Sequence, residues 1–118
     1  MKRIYISNSI QTIEVIAELA ISTSQLSKGL MYRKILGRNA GMLFFFPTEA
    51  HHAMHMKNTS IPLDIIFIDA NKKITDIKQG KPHSLSFIHS SLPFKYVLEV
   101  HKDFCKFNNI KLGDAVRI

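Results

Sequence analysis

Between residues 12 and 22 the chain alternates apolar and polar side chains almost without a break. Ile13, Val15, Ala17, Leu19 and Ile21 fall on one side, and Thr12, Glu14, Glu18 and Ser22 on the other. A period of two is that of a half-buried strand. Ile16 and Ala20 interrupt the polar side, which implies that this face is partly covered as well. Gly41 to Phe46 is a continuous apolar run stopped by Pro47, the pattern of a buried strand. Leu63 to Ile68 predicts a central strand and Tyr96 to Val100 another. Shorter alternations predict a strand at 53 to 58 and an edge strand at 74 to 77. An extended piece is expected at 84 to 88, and a last strand after the Gly113-Asp114 turn.

Helical signals are few. Thr23 or Ser24 can cap a short helix whose Leu26 and Leu30, four apart, share the buried side. Gly29 costs such a helix about 1 kcal/mol relative to alanine, so its presence points to close packing against a neighbouring backbone. Residues 101 to 109 suit a second short helix that buries Phe104 with Cys105 or Phe107. Residues 34 to 40 and 48 to 52 read as loops, 59 to 62 as a turn, and 69 to 73 as a hairpin loop with Asn71 suited to positive φ. Seven or eight short strands at this spacing, with one or two short helices, predict a mainly β fold. The expected architecture is a β-sandwich or distorted β-barrel forming a single domain over residues 1–118.

Composition narrows the class. A chain of 118 residues can bury roughly 65% of its unfolded surface, enough for one core. Its 46% hydrophobic and 21% charged residues are those of an ordinary globular protein. No apolar run approaches the ~20 residues of a membrane-spanning helix. The opening from Met1 to Asn8 is basic, but Ser7, Asn8, Gln11 and Glu14 break the apolar stretch that a signal peptide requires, so no export signal is expected. Cys105 is the single cysteine, which excludes an intrachain disulfide; on an apolar helix face it is expected to be buried and inert. The formal charge of +7 is scattered, with a mild concentration at Lys72, Lys73, Lys78 and Lys81. Charge alone allows contact with nucleic acid, but no RNA-recognition signature or zinc-finger spacing accompanies it.

The densest chemistry lies in Met56-Lys-Asn-Thr-Ser-Ile-Pro-Leu-Asp64, where a polar knot runs through a proline into a strongly apolar strand. With Gly29-Leu-Met-Tyr-Arg33, Gly41-Met-Leu-Phe44, Tyr96-Val-Leu-Glu99 and Gly113-Asp114, this string closely resembles the core motifs of the domain-of-unknown-function 192 family. The resemblance covers about residues 13 to 118. It implies a small, mainly β domain of a kind that is often exported, hence an extracytoplasmic setting, and it implies no established activity. Just before the Met-Lys-Asn string the family usually carries an aromatic pair, often Phe-Trp; Met54 and His55 stand in those places here.

Read physically, Asp64 shares a strand face with Ile66 and Ile68 and should be largely covered. A covered carboxyl requires partners, and Lys57 or Arg33 are the expected ones. In one reading Asp64 is a polar staple that ties the 57 to 62 turn to the helix end. In the other, Arg33, Lys57 and Asn58 form a small anion-binding pocket with Asp64 orienting a cation. The leading functional expectation is accordingly a non-catalytic binding or accessory module for an anionic small molecule, glycan or envelope component. Two alternatives stand beside it: a hydrolase acting on carbohydrate or ester through Asp64 and a histidine such as His55, and nucleic-acid binding through net charge. Asp64 and Glu99 are not expected to act as an acid–base couple, because cationic neighbours would keep both ionised. His51, His52 and His55 invite a metal reading, but in an extended chain residues four apart lie ~13 Å apart, too far for one ion. No glycine-rich phosphate loop, nucleophile elbow or cofactor motif is present.

Overall fold

The computed structural model describes residues 1–118. Seven strands and two short helices follow in the order β1 (Lys2–Ser7), β2 (Thr12–Ala20), α1 (Thr23–Lys28), β3 (Ala40–Ala50), β4 (Leu63–Ile68), β5 (Ile74–Gly80), β6 (Phe94–His101), α2 (Phe104–Phe107) and β7 (Ala115–Arg117). The strands form one sheet in the order β5-β4-β6-β3-β2-β1-β7. Every pairing is antiparallel except β2 with β3. A parallel pair needs a crossover, and α1 with the segment after it provides one.

The sheet curls into a half-barrel until its two edges touch. Gly113 N–H donates to Ile74 O at 2.8 Å, Ile74 N–H to Asp114 O at 3.0 Å, and Val116 N–H to Lys72 O at 2.9 Å. The fold is thus mainly β, on the distorted-barrel side of the expected alternatives. One face of the sheet packs Val15, Leu43, Ile66 and Leu98 against Phe104 and Cys105 of α2. The other packs Phe44, Ile65, Phe67 and Val97 against Leu30, Met54, Met56 and Ile61. Because both faces are covered, all six residues of β4 are buried, whereas β2 keeps Thr12 and Glu14 exposed and only its later residues are partly covered on that side.

Several local features differ from the sequence expectation. The N-terminal residues 2 to 7 form a full strand: Ile4 and Ile6 are core residues, and β1 pairs along its whole length with β2. Residues 53 to 58 form no strand; only an isolated bridge joins Met54 to Ile88, because the segment lies across the sheet as a covering layer. β3 runs on through Pro47 to Ala50, its register with β6 shifting between Phe45 and Ala50, an irregularity where a residue without N–H is tolerated. β5 continues to Gly80, where a Cβ would meet Met56 Sδ at 2.5 Å. The positive φ of the β4–β5 turn falls on Lys72. Helix α1 is capped one residue earlier than expected. Ser22 Oγ accepts the Gln25 N–H at 3.2 Å while Gln25 Oε1 accepts the Ser22 N–H at 3.0 Å, a reciprocal capping box.

A cleft over a buried acid

Helix α1 ends at Gly29, whose φ of 49° and N–H bond to Gln25 O at 2.9 Å turn the chain down onto the sheet. The close approach inferred for this glycine is real, although its neighbour is a ring and not a backbone: a Cβ would lie 3.1 Å from Phe44 Cζ. Beside this contact a cleft of about 440 Å³ opens between α1, the outer sheet face and the segment 53 to 59. Leu26, Phe44, Phe46 and Met54 give it apolar walls; Thr23, Ser27, Lys28, His55 and Thr59 give it polar ones. The one acid lining it is Glu99.

Glu99 sits mid-strand in β6, flanked across the sheet by Met42 of β3 and Ile65 of β4, both buried. It is 3% exposed. None of the protein's side-chain hydrogen bonds or ion pairs involves its carboxyl, whose oxygens line the cleft and keep slight contact with solvent there. Burial with no compensating partner pushes its pKa up to about 8. At neutral pH Glu99 is therefore a protonated acid, able to donate one hydrogen bond and accept others. The expectation that nearby cations would ionise it is not met: Lys95 and His101 share its parity on β6, but the His101 ring turns at the strand end onto Phe104 of α2, and no cationic group stands within 4.0 Å of the Glu99 carboxyl.

The residues singled out from the sequence are not gathered at one place. Arg33 is committed to Glu18 in a two-pronged pair, with Nη2 to Oε1 at 2.9 Å. The hydrogen bond between them holds the Glu18 carboxyl below its ordinary range and raises the Arg33 guanidinium. Asn58, at φ 54°, donates from its side chain to Tyr32 Oη at 3.0 Å, and Ser60 Oγ donates to Arg33 O at 2.8 Å. The 57 to 60 turn is thus tied to the chain leaving α1, as the staple reading supposed, but without Asp64. Lys57 is exposed and in no ion pair.

Asp64 lies on the opposite sheet face, 1% exposed, beneath α2. It accepts the backbone N–H of Asp103 at 3.1 Å and of Cys105 at 3.0 Å, with Gln79 Nε2 at 3.4 Å. Asp103, the residue preceding α2, has φ 68° and makes no side-chain cap, so a carboxyl from β4 caps that helix instead. The expected pairing of Asp64 with Lys57 or Arg33 does not occur, and neither does a couple with His55, which lines the cleft across the sheet. Cys105 is buried; burial and then the adjacent Asp64 push its thiol far above the ordinary range. His52 stacks on Phe46 at 4.3 Å and bonds Thr48 O at 2.8 Å, while His55 Nδ1 accepts the Lys57 N–H at 3.2 Å. No three metal-ligating side chains converge anywhere in the chain.

A curled, nearly closed sheet with one acid-lined cleft under its crossover helix defines a small mainly β domain, and none of its helices is long and apolar enough to cross a membrane. The chain belongs to the DUF192 family, the domain of unknown function 192, described as "Uncharacterized ACR", whose model matches residues 4–118. The match takes in β1, which the motifs alone had not reached. Two crystal structures are similar over 98% of this chain, each with a TM-score of 0.94. One, 36% identical and covered over 91% of its length, is from Sinorhizobium meliloti 1021, and its description proposes a transcription regulator. The other, 29% identical and covered over 84%, is a protein of unknown function from Novosphingobium aromaticivorans DSM 12444. No curated protein matches the chain.

Proposed function

We propose that this protein is a non-catalytic binding or accessory module that takes a small hydroxyl-rich ligand, such as a glycan unit, in the cleft under α1. The observation that carries this reading is Glu99, a buried carboxyl that faces the cleft and has no protein partner. The protein leaves this carboxyl's hydrogen-bonding capacity to whatever occupies the cleft, and a ligand hydroxyl can meet it. Thr23, Ser27 and Thr59 supply further hydroxyls, and Phe44 and Phe46 an apolar wall for the C–H face of a sugar. Lys28, which lines the cleft, supplies a cation for an anionic substituent, whereas Lys57 and Asn58 do not line it. Arg33 and Asp64 have other work. Hydrolysis of a glycosidic bond ordinarily takes two carboxyl groups on either side of the bond, and only one lines this cleft.

The test is an amide chemical-shift titration with a saccharide panel at pH 6 and pH 9.5, on the wild type and the variants Glu99→Gln and Glu99→Leu. Glutamine retains a donor and an acceptor, so binding at pH 6 is expected to persist, whereas leucine removes it. Wild-type binding should weaken about tenfold at pH 9.5 as the carboxyl loses its donated proton, and the glutamine variant should not follow. A panel in which no sugar shifts the cleft amides, or a bound sugar indifferent to Glu99→Leu, overturns the reading.

A further inference from the structure

A second cavity, of about 410 Å³, lies where β6 turns into α2, and it shares no lining residue with the Glu99 cleft. We propose that it is a binding site for a small organic molecule bearing both an oxyanion and a flat ring, the oxyanion held by Arg38, Asn39 and His101 and the ring stacked on Phe107.

Its chemistry is one-sided. Arg38, Asn39, His101 and Asn108 line it together with Phe104 and Phe107, and no acidic side chain does. Arg38 is exposed yet makes no ion pair and no side-chain hydrogen bond, so its five N–H donors are free for a carboxylate or phosphate. The His101 ring is oriented in advance. Its Nδ1 lies 3.0 Å from Lys102 O and its ring meets Phe104 edge-on at 5.7 Å, which leaves Nε2 as its unengaged nitrogen. Asn108 is held by its own side-chain bond to Phe104 O at 2.9 Å and by Gln11, whose amide nitrogen donates to Asn108 O.

The ring requirement comes from size and from Phe107. A cavity of 410 Å³ falls in the range of small-molecule sites and far exceeds a bare phosphate. Phe107 is 77% exposed, a flat apolar surface lining the same cavity as Arg38 and suited to stacking. The formal charge of +7 favours an anionic occupant over a cationic one.

Adenosine 5′-monophosphate, adenosine and inorganic phosphate are the probes, followed by amide shifts of the full chain at low and moderate salt. The monophosphate is expected to shift the amides of Asn39, His101 and Phe107, and to bind about tenfold more tightly than either adenosine or phosphate alone. Arg38→Ala should weaken it about tenfold. Phe107→Ala should weaken the monophosphate and leave phosphate unchanged. Equal affinity for phosphate and the monophosphate, unchanged binding in Arg38→Ala, or shifts spread over the lysine-bearing surface instead of this cavity would each overturn the assignment.

Discussion

Replacing Glu99 by glutamine keeps the shape of the side chain and removes its titration, so the variant isolates what burial does to this one acid. In the folded protein the carboxyl is pushed up to about 8, from an ordinary value of 4.5. In the unfolded chain it returns to that ordinary value. Between the two, the folded state holds a proton that the unfolded state has released. Stability therefore falls as pH rises, by about 1.4 kcal/mol per pH unit. The penalty is absent well below 4.5 and complete above about 8. Integrated, it is about 1 kcal/mol at pH 5 and about 5 kcal/mol at pH 9, a difference of roughly 4 kcal/mol. Urea unfolding of wild type and Glu99→Gln at both pH values measures it, and other titrating groups cancel in the comparison. With a slope of about 1.5 kcal/mol per molar urea, the gap in midpoints should widen by about 2.5 M in favour of the variant between pH 5 and pH 9. A gap that stays constant would mean that water reaches the carboxyl freely and the cleft holds no unusual acid. A gap that narrows with pH would mean that a cation pairs with it.

Asp64→Ala leaves the N–H groups of Asp103 and Cys105 without acceptors under a covered helix end, and is expected to destabilise the fold by about 2–4 kcal/mol in denaturant unfolding. Asp64→Asn should fall between, since one of its two faces presents N–H where an acceptor is needed; an Asp64→Ala variant of wild-type stability would refute the capping role. Gly41→Ala would place a methyl group 2.7 Å from the backbone oxygen of Glu99 and 3.2 Å from side-chain carbons of Val15 and Val100. Backbone cannot yield there as a flexible side chain does, so a loss of about 3 kcal/mol or more in the same assay is expected, and a neutral result would show that β3 and β6 are less tightly apposed.

The strands that alternation or unbroken hydrophobicity marked at 12 to 22, 41 to 46, 63 to 68 and 96 to 100 are strands, and they form the middle of the sheet. β4 and β6 read as apolar runs because both their faces are covered, and β2 alternates because Thr12 and Glu14 stay exposed while Val15 and Ala17 are buried. The elements misread lie at the margins. β1 carries only two core residues, Ile4 and Ile6, among basic and polar ones, and its hairpin partner β2 supplies the rest of its stability. The segment 53 to 58 has a strand's alternation, with Met54 and Met56 both buried, yet it lies across the sheet with a single bridge. Period two reports which side chains are buried, and a covering loop that buries every second residue satisfies it as well as a ladder does.

The candidate site was half legible for a related reason. Asp64 and Glu99 were both visible as acids on strands, and alternation correctly placed Asp64 with Ile66 and Ile68. Alternation gives no parity between strands, because that depends on register, and a shift of one residue exchanges the faces. Here Ile65 stands opposite Glu99, which puts Glu99 and Asp64 on different sides of the sheet. On Asp64's side the chain returns as α2 and offers it two backbone donors from a helix that lacks a cap of its own. On Glu99's side the chain returns as α1, whose own N-terminus is already satisfied by Ser22 and Gln25. One helix needed an acid from elsewhere and the other did not. That difference, which no local pattern in β4 or β6 encodes, leaves one carboxyl structural and the other free to face the cleft.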